Sequence, residues 1–190
     1  IPDAQESRGL GDVYKRQLRR CITGRLDKVT GGAKLGGLKL EPLKLRTAPH
    51  VRLIGCGTAL NACRIGQLAI ESLARIPAVA HVSSEFRYND PVINPSAIHF
   101  AVSQSGETAD TISAIKEIQL KGGEVHGIVN VVGSTIARLC GQGVYIHSGP
   151  EQAVASTKAF TNMVASLLLL VQRVLSVVKT IFQIDLVGVN

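Results

Sequence analysis

The sequence predicts an α/β fold: a three-layer α/β/α sandwich in which helices cover both faces of a five-stranded parallel sheet. From residue 50 onward, five short apolar runs alternate with helical patterns, which is typical of parallel sheets. Aromatic residues make up only 4% of the chain, although 45% of it is hydrophobic. The core must therefore consist mainly of Val, Ile, Leu and Ala, the usual composition of sheets buried on both faces.

The individual elements follow from apolar periodicity and from the residues that interrupt it. Strands are predicted at residues 51–54, 78–82, 97–102, 124–130 and 143–147. Helices are predicted from residue 59 to about 75, and at 107–121, 134–140 and 156–178. We expect the last helix to lie in the core or at a subunit interface. Gln172 and Arg173 interrupt its apolar run, which is shorter than the roughly 20 residues of a membrane span.

Composition also predicts the boundaries of the folded region. Residues 1–17 include the run Asp12-Val13-Tyr14-Lys15-Arg16-Gln17, which resembles a translated library adaptor. We therefore expect 1–17 to be a non-native scar, with a genuine flexible N-terminus as the alternative. Residues 18–49 are basic and glycine-rich, and we expect a linker with at most one short helix and no buried core. The domain is expected over 50–179, followed by an ambiguous tail at 180–190.

The net charge of +7 is concentrated at the N-terminal end of the chain. Residues 1–50 contain 11 basic and 5 acidic residues, whereas residues 51–190 contain 10 and 9. The basic segment 18–49 has no interleaved aromatic residues and no helix-turn-helix pattern, so we expect no nucleic-acid partner. The four cysteines form no CxxC pair and have no His at zinc spacing. We expect Cys56 and Cys63 to be small core residues in a reducing compartment. We also expect that the protein binds no metal or cofactor, does not associate with a membrane and is located in the cytoplasm.

A run rich in hydroxyl groups follows the third predicted strand. Residues 103–108, Ser-Gln-Ser-Gly-Glu-Thr, lead into the next helix, whose first N–H groups and positive dipole end favour an anion. Gly106 is expected to let the backbone approach a ligand, and Glu107 to lie in the first helical turn. No Lys follows the glycine, which excludes a nucleotide P-loop and favours a small phosphorylated molecule. The alternative interpretation, a turn that is capped by Ser and binds no ligand, is not excluded by the sequence.

Other loops also follow the carboxyl ends of predicted strands, at Gly57, at Ser83 and before Val154. Ligands of parallel sheets bind at such ends, so these loops could line one site together with residues 103–108. The turn at Gly57 begins like a dinucleotide-binding fingerprint. Leu60 occupies the place of the third glycine, so the match fails.

Five motifs occur along the chain in this order: Gly55-Cys56-Gly57-Thr58, Ser84-Glu85-Phe86-Arg87-Tyr88, Ser103-Gln104-Ser105-Gly106-Glu107-Thr108-Ala109-Asp110-Thr111, Asn130-Val131-Val132-Gly133-Ser134 and Val154-Ala155-Ser156-Thr157-Lys158-Ala159-Phe160. Together they resemble the first sugar isomerase (SIS) domain of the isomerising glutamine–fructose-6-phosphate aminotransferases, over about residues 18–178. The resemblance implies a five-stranded parallel sheet in an α/β/α sandwich, in agreement with the periodicity.

The resemblance also implies which residues bind a sugar phosphate. The phosphate-binding turn of the family corresponds to Ser103, Gln104, Ser105 and Thr108. The sugar side is expected to meet Thr58 and the backbone near Val154. Two positions depart from the family pattern. Ala59 replaces the usual Ser and removes one hydroxyl, and Gln152-Ala153 replaces the usual Ile-Gly before Val154.

Family members convert fructose 6-phosphate and glutamine to glucosamine 6-phosphate and glutamate in hexosamine biosynthesis. In them, a glutaminase domain releases ammonia, and a second SIS domain supplies the acid/base glutamate and the imine-forming lysine. We therefore expect this chain to be a fragment of such a protein. It should bind fructose 6-phosphate or glucosamine 6-phosphate, carry no catalytic residue and be inactive alone.

The resemblance further implies that the parent protein forms a homodimer through its SIS domains. Two alternative functions stay open on the sequence. One is an SIS module that senses sugar phosphates within a regulator, and the other is a stand-alone phosphosugar isomerase.

Overall fold

The computed structural model describes residues 3–27, 31–149 and 157–187. Its strands are β1 (Val51–Gly55), β2 (Ala78–Val82), β3 (Ile98–Ser103), β4 (Val125–Val129) and β5 (Gly143–Tyr145). Its helices are α1 (Asp3–Ile22), α2 (Pro42–Thr47), α3 (Thr58–Ala69), α4 (Ser83–Phe86), α5 (Ala109–Leu120), α6 (Thr135–Cys140) and α7 (Lys158–Val187). A π-helical turn, Ile70–Ala74, extends α3.

The five strands form one sheet in the order β2-β1-β3-β4-β5, and every neighbouring pair is parallel. The chain first adds β2 on one side of β1 and then returns to add β3 on the other side. The strand order therefore reverses between β1 and β3. The predicted five-stranded parallel sheet is confirmed.

Side chains alternate between the two faces of the sheet, as the geometry of a strand requires. Leu53, Phe100 and Ile128 belong to a core shared with α3 and α7. Their neighbours Ile54 and Ala101 belong to a second core shared with α5 and α6. The sheet thus lies between two helical layers, and the three-layer sandwich is confirmed.

The segment before β1 is packed, contrary to the expectation of a linker that buries no core. Four of its leucines are at most 2% exposed, and they are Leu35, Leu38, Leu40 and Leu45. The carbonyl of Gly37 accepts the N–H of Gly143 at 2.9 Å and so covers the β5 edge. The helix before this segment, α1, has 20 residues and buries Cys21 against Asn162 and Ser166 of α7. The expectation of one short helix at most is therefore also wrong.

Helix α7 serves as a core helix. Residues Lys158–Ser176 are long and apolar enough to cross a membrane by length and composition, but half of the most apolar window is buried inside the domain. Its two polar interruptions bind the packed N-terminal segment. Gln172 donates to the carbonyl of Gly31, and Arg173 donates to the carbonyl of Leu40 at 3.1 Å.

His99 on β3 is a fully buried histidine. Its Nδ1 lies 3.1 Å from the Glu124 carbonyl, whereas its Nε2 has no hydrogen-bond partner among the described residues. Burial is the main cause that lowers the pKa of His99 from 6.5 to about 4. The hydrogen bond to the Glu124 carbonyl opposes this shift, and the charge of the nearby Arg52 contributes to it. A histidine in this setting is neutral and structural, which agrees with its position inside the sheet.

We predict that acid destabilises the fold through His99. The unfolded chain takes up this proton near pH 6.5, whereas the folded chain takes it up only near pH 4, so stability falls as the pH drops between these values. From pH 7 to pH 5 the loss attributable to His99 should be about 2 kcal/mol, measured by urea unfolding. His99→Gln should flatten this pH dependence. An equally steep loss in the variant would contradict the assignment.

Candidate functional site

The candidate site lies where the strand order reverses. The loops that follow β1 and β3 leave the same edge of the sheet side by side, which is where ligands of open parallel sheets bind. Between these loops is a cavity of about 160 Å³. The residues that line it are Cys56, Thr58, Ala59, Val102, Ser103, Gln104, Ser105, Thr108 and Met163.

Residues 103–108, here named the hydroxyl turn, form one wall of the cavity and are held by their own hydroxyl groups. The Ser103 hydroxyl accepts the N–H of Gly106 at 3.0 Å and lies 3.1 Å from the Thr108 hydroxyl. The Ser105 hydroxyl accepts the N–H of Glu107 at 3.1 Å. Ser103 is only 2% exposed, so its position is fixed by packing as well as by hydrogen bonds.

The N-terminus of α5 adjoins the hydroxyl turn. Thr108 is the N-cap residue in an extended conformation, and its side chain makes no capping hydrogen bond. Its hydroxyl pairs with Ser103 instead. The first N–H groups of a helix have no intrahelical acceptors, and the helix dipole is positive at that end. This wall of the cavity therefore offers hydroxyl donors next to a positive helix terminus, which is a favourable setting for an anion.

The loop after β1 forms the opposite wall. Gly57 has a φ of 54°, a conformation that favours glycine, and it directly precedes α3. Thr58 is half-buried at the start of α3, and Ala59 is 7% exposed. The side chain of Ala59 is a methyl group and therefore adds no hydroxyl to this wall.

The structure brings six of the seven residues predicted for the site to one cavity. They are Thr58, Ala59, Ser103, Gln104, Ser105 and Thr108. The seventh, Val154, lies outside the described residues. Ser83, whose loop could have joined the site, is 1% exposed and accepts a hydrogen bond from the Thr111 hydroxyl at 3.0 Å. It does not line the cavity, because β2 is an edge strand on the far side of β1.

Three lining residues were missed by the sequence analysis, and they are Cys56, Val102 and Met163. Met163 of α7 is 1% exposed and closes the cavity from the helical layer. Met163 begins the most apolar run of the sequence, which gave no sign that it would lie beside polar residues. Cys56 is half-buried and lines the cavity, so its interpretation as a core residue is wrong, although Cys63 is fully buried as expected.

Gly106 is required by its packing against α6. It has a φ of 67°, and a Cβ atom there would lie 2.1 Å from the Ser134 hydroxyl oxygen. The close approach that the structure shows is to Ser134 at the start of α6. Any larger residue would strain the backbone and push the hydroxyl turn away from α6.

Glu107 also differs from its expected role. Helix α5 begins at Ala109, so Glu107 precedes the first helical turn. Its carboxylate accepts the N–H of Thr135 at 2.7 Å, at the start of α6. This hydrogen bond holds the pKa of the Glu107 carboxyl below its usual range, with a smaller effect from Arg138. The Glu107 carboxylate therefore caps the N-terminus of α6 and does not lie in the first turn of α5.

Among the described residues, the cavity lining contains hydroxyl, amide and thiol groups but no carboxylate and no amine. No group of three His, Cys, Asp or Glu suited to a metal occurs in residues 3–27, 31–149 and 157–187. Fold and site together define a class of protein: a parallel α/β domain with a small polar cavity at its point of strand reversal. The hydroxyl and amide groups of the lining can hold a ligand by hydrogen bonds.

Comparison with known proteins identifies the family within this class. Residues 44–173 match the SIS domain family, and the chain belongs to it. The chain is 44% identical to the isomerising glutamine–fructose-6-phosphate aminotransferase of Symbiobacterium thermophilum over 155 residues, which is 82% of this chain and 26% of that protein. It thus spans about a quarter of the length of the curated relatives it matches.

Solved structures agree with this result. The C-terminal domain of the glucosamine-fructose-6-phosphate aminotransferase of Francisella tularensis aligns with 87% of this chain and 46% of its own, at 27% identity and a TM-score of 0.73. An E. coli protein in complex with arabinose 5-phosphate aligns with 93% of this chain and 91% of its own, at 17% identity and a TM-score of 0.70. At 17% identity, the similarity to the E. coli protein shows a shared fold only.

Proposed function

We propose that this chain is the sugar-phosphate-binding SIS domain of an isomerising glutamine–fructose-6-phosphate aminotransferase. In this role it holds fructose 6-phosphate or glucosamine 6-phosphate by the phosphate group during amino-sugar synthesis. The observation that carries the proposal is the hydroxyl turn, where the hydroxyl oxygens of Ser103 and Thr108 lie 3.1 Å apart beside the start of α5. A dianionic phosphate suits such donors, because hydrogen bonds to a charged group are stronger than those to a neutral one.

The relatives favour this function over the alternatives left open by the sequence. Proteins named as isomerising glutamine–fructose-6-phosphate aminotransferases are 42–44% identical to about four fifths or more of the chain. The likeness to the protein in complex with arabinose 5-phosphate is at 17% identity and supports no more than a shared fold. All four cysteines are free, which is consistent with a reducing compartment, and we place the protein in the cytoplasm.

We assign binding, not chemistry, to the described cavity. Ring opening and isomerisation need a base and a nucleophile held beside the bound sugar. The lining residues provide neither a carboxylate nor an amine. In the parent enzyme the residues that transform the sugar would therefore come from elsewhere, and this cavity would fix the phosphate against them.

The affinity of this chain alone should be modest. About five charge-assisted hydrogen bonds at roughly 1.5–3 kcal/mol each give about 8–15 kcal/mol before costs. Association consumes about 4–15 kcal/mol of this through lost translational and rotational freedom. Removing two of the donors should therefore weaken binding far enough to be measured by calorimetry.

We predict that Ser103→Ala combined with Thr108→Ala raises the Kd for glucosamine 6-phosphate about 100-fold or more, since two hydrogen bonds to the phosphate are lost. Isothermal titration of the wild type and the variant checks this. The matched control is Thr47→Ala combined with Ser96→Ala, which removes two exposed hydroxyls away from the cavity. Equal affinity of the wild type and the site variant would refute the site.

The exposed apolar residues of α3 and its π-helical extension suggest a pairing surface. Leu68 is 66% exposed and Leu73 is 54% exposed, and Leu168 of the adjoining α7 is 44% exposed. Helices α3 and α7 meet closely, because a Cβ atom on Gly66 would lie 2.8 Å from Leu167. We propose that a second copy of the domain covers this face in a homodimer.

The pairing surface predicts a change of mass in solution. Leu68→Glu should convert the dimer into a monomer in size-exclusion chromatography with light scattering, because burying an unpaired carboxylate is costly. Leu120→Glu is the control, since Leu120 is 83% exposed on α5 in the opposite helical layer. A monomeric wild type, or a dimeric Leu68→Glu protein, would contradict the proposal.

A further inference from the structure

We propose that Glu107 is a positioning residue that latches the hydroxyl turn onto the N-terminus of α6 and so sets the geometry in which the phosphate is held. This inference rests on the proposed function of the cavity. It assigns a role to the one acidic residue of the turn, which neither lines the cavity nor lies in a helix.

The latch consists of two hydrogen bonds from the first turn of α6. The N–H of Thr135 donates to the Glu107 carboxylate at 2.7 Å, and the N–H of Ile136 donates to the Gly106 carbonyl at 2.9 Å. The first N–H groups of a helix are normally capped by the side chain of the N-cap residue. Here the acceptors come from the hydroxyl turn, about 28 residues earlier in the chain.

Ser134 confirms that the usual capping arrangement is displaced. Ser134 is the N-cap residue of α6 and is 3% exposed, yet its side chain makes no capping bond. Its hydroxyl has no hydrogen-bond partner among the described residues. The hydroxyl packs against Gly106 instead, where no side chain larger than hydrogen fits. Residues 106 and 107 thus dock as a unit, one by close packing and the other by a charge-assisted bond.

The latch also directs the negative charge of Glu107 away from the bound anion. A carboxylate within an anion-binding turn would repel a phosphate if it pointed toward the phosphate. The bond to Thr135 directs the Glu107 carboxylate to the positive end of α6, and Arg138 lies near enough to lower its pKa. Arg138 is itself held by the Thr135 hydroxyl at 3.0 Å. The turn can therefore contain a carboxylate and still present its donors to an anion.

A further contact extends the latch to the loop after β4. The N–H of Asn130 donates to the Gln104 carbonyl at 3.3 Å. The side chain of Asn130 then joins the loop after β5, since it accepts the N–H of Ser148 at 2.9 Å and donates to the carbonyl of Gly149 at 2.8 Å. The hydroxyl turn is thus tied to two neighbouring loops, and Glu107 supplies the side-chain bond at its tip.

Three variants separate positioning from charge. Glu107→Ala removes both the acceptor and the charge, Glu107→Gln keeps an oxygen acceptor and removes the charge, and Asp110→Ala removes an exposed carboxylate from the first turn of α5 without touching the latch. We expect Glu107→Ala to weaken glucosamine 6-phosphate binding about tenfold. We expect Glu107→Gln to bind within about twofold of the wild type, and Asp110→Ala to bind no more weakly than the wild type.

Hydrogen exchange without ligand provides the second readout. In Glu107→Ala the backbone amides of residues 105–108 and of Thr135 should exchange faster, whereas Glu107→Gln should match the wild type, and the thermal midpoint of each variant reports global stability. Unchanged exchange in Glu107→Ala, or unchanged affinity, would overturn the positioning role. If the wild type itself fails to bind glucosamine 6-phosphate, the proposed function fails, and the ligand-free exchange alone decides whether Glu107 positions the turn.

Discussion

The structure depends above all on how the hydroxyl turn is held against its neighbours. Ser103 fixes the turn from inside, through the N–H of Gly106 and the hydroxyl of Thr108. Ser134 and the first N–H groups of α6 fix it from outside. Because the sheet reverses its strand order between β1 and β3, the same turn faces the start of α3 across a cavity of about 160 Å³. The contacts that hold the hydroxyl turn therefore set both the position and the rigidity of its hydroxyl donors.

Much of this arrangement could be predicted from local sequence. The five apolar runs define the strands because a sheet covered on both faces needs continuous apolar segments, and alternate residues such as Leu53 and Ile54 enter opposite cores. The hydroxyl turn could be recognised because its residues are contiguous. The cavity combines two such contiguous segments, and the reversal rule for parallel sheets is enough to bring them together.

The features that could not be predicted depend on contacts between distant residues. Glu107 caps a helix that begins 28 residues later, and no local pattern distinguishes this from a charge in its own helix. The leucines of the segment before β1 are separated by glycines and lysines, which conceals their burial against α7 and the β5 edge. Met163 belongs to an apolar helix, and only tertiary packing places it at the cavity. In each case the deciding partner is far away in sequence.

The most direct test of the account is where a sugar phosphate perturbs the backbone. We would titrate ¹⁵N-labelled protein with glucosamine 6-phosphate and follow every amide signal. The account predicts that the largest shifts occur at residues 103–108 and 56–59, the two walls of the cavity, and that unphosphorylated glucosamine produces no comparable shifts. Largest shifts elsewhere, for example around the separate cavity near Gly37 and Tyr145, or equal shifts with glucosamine, would contradict it.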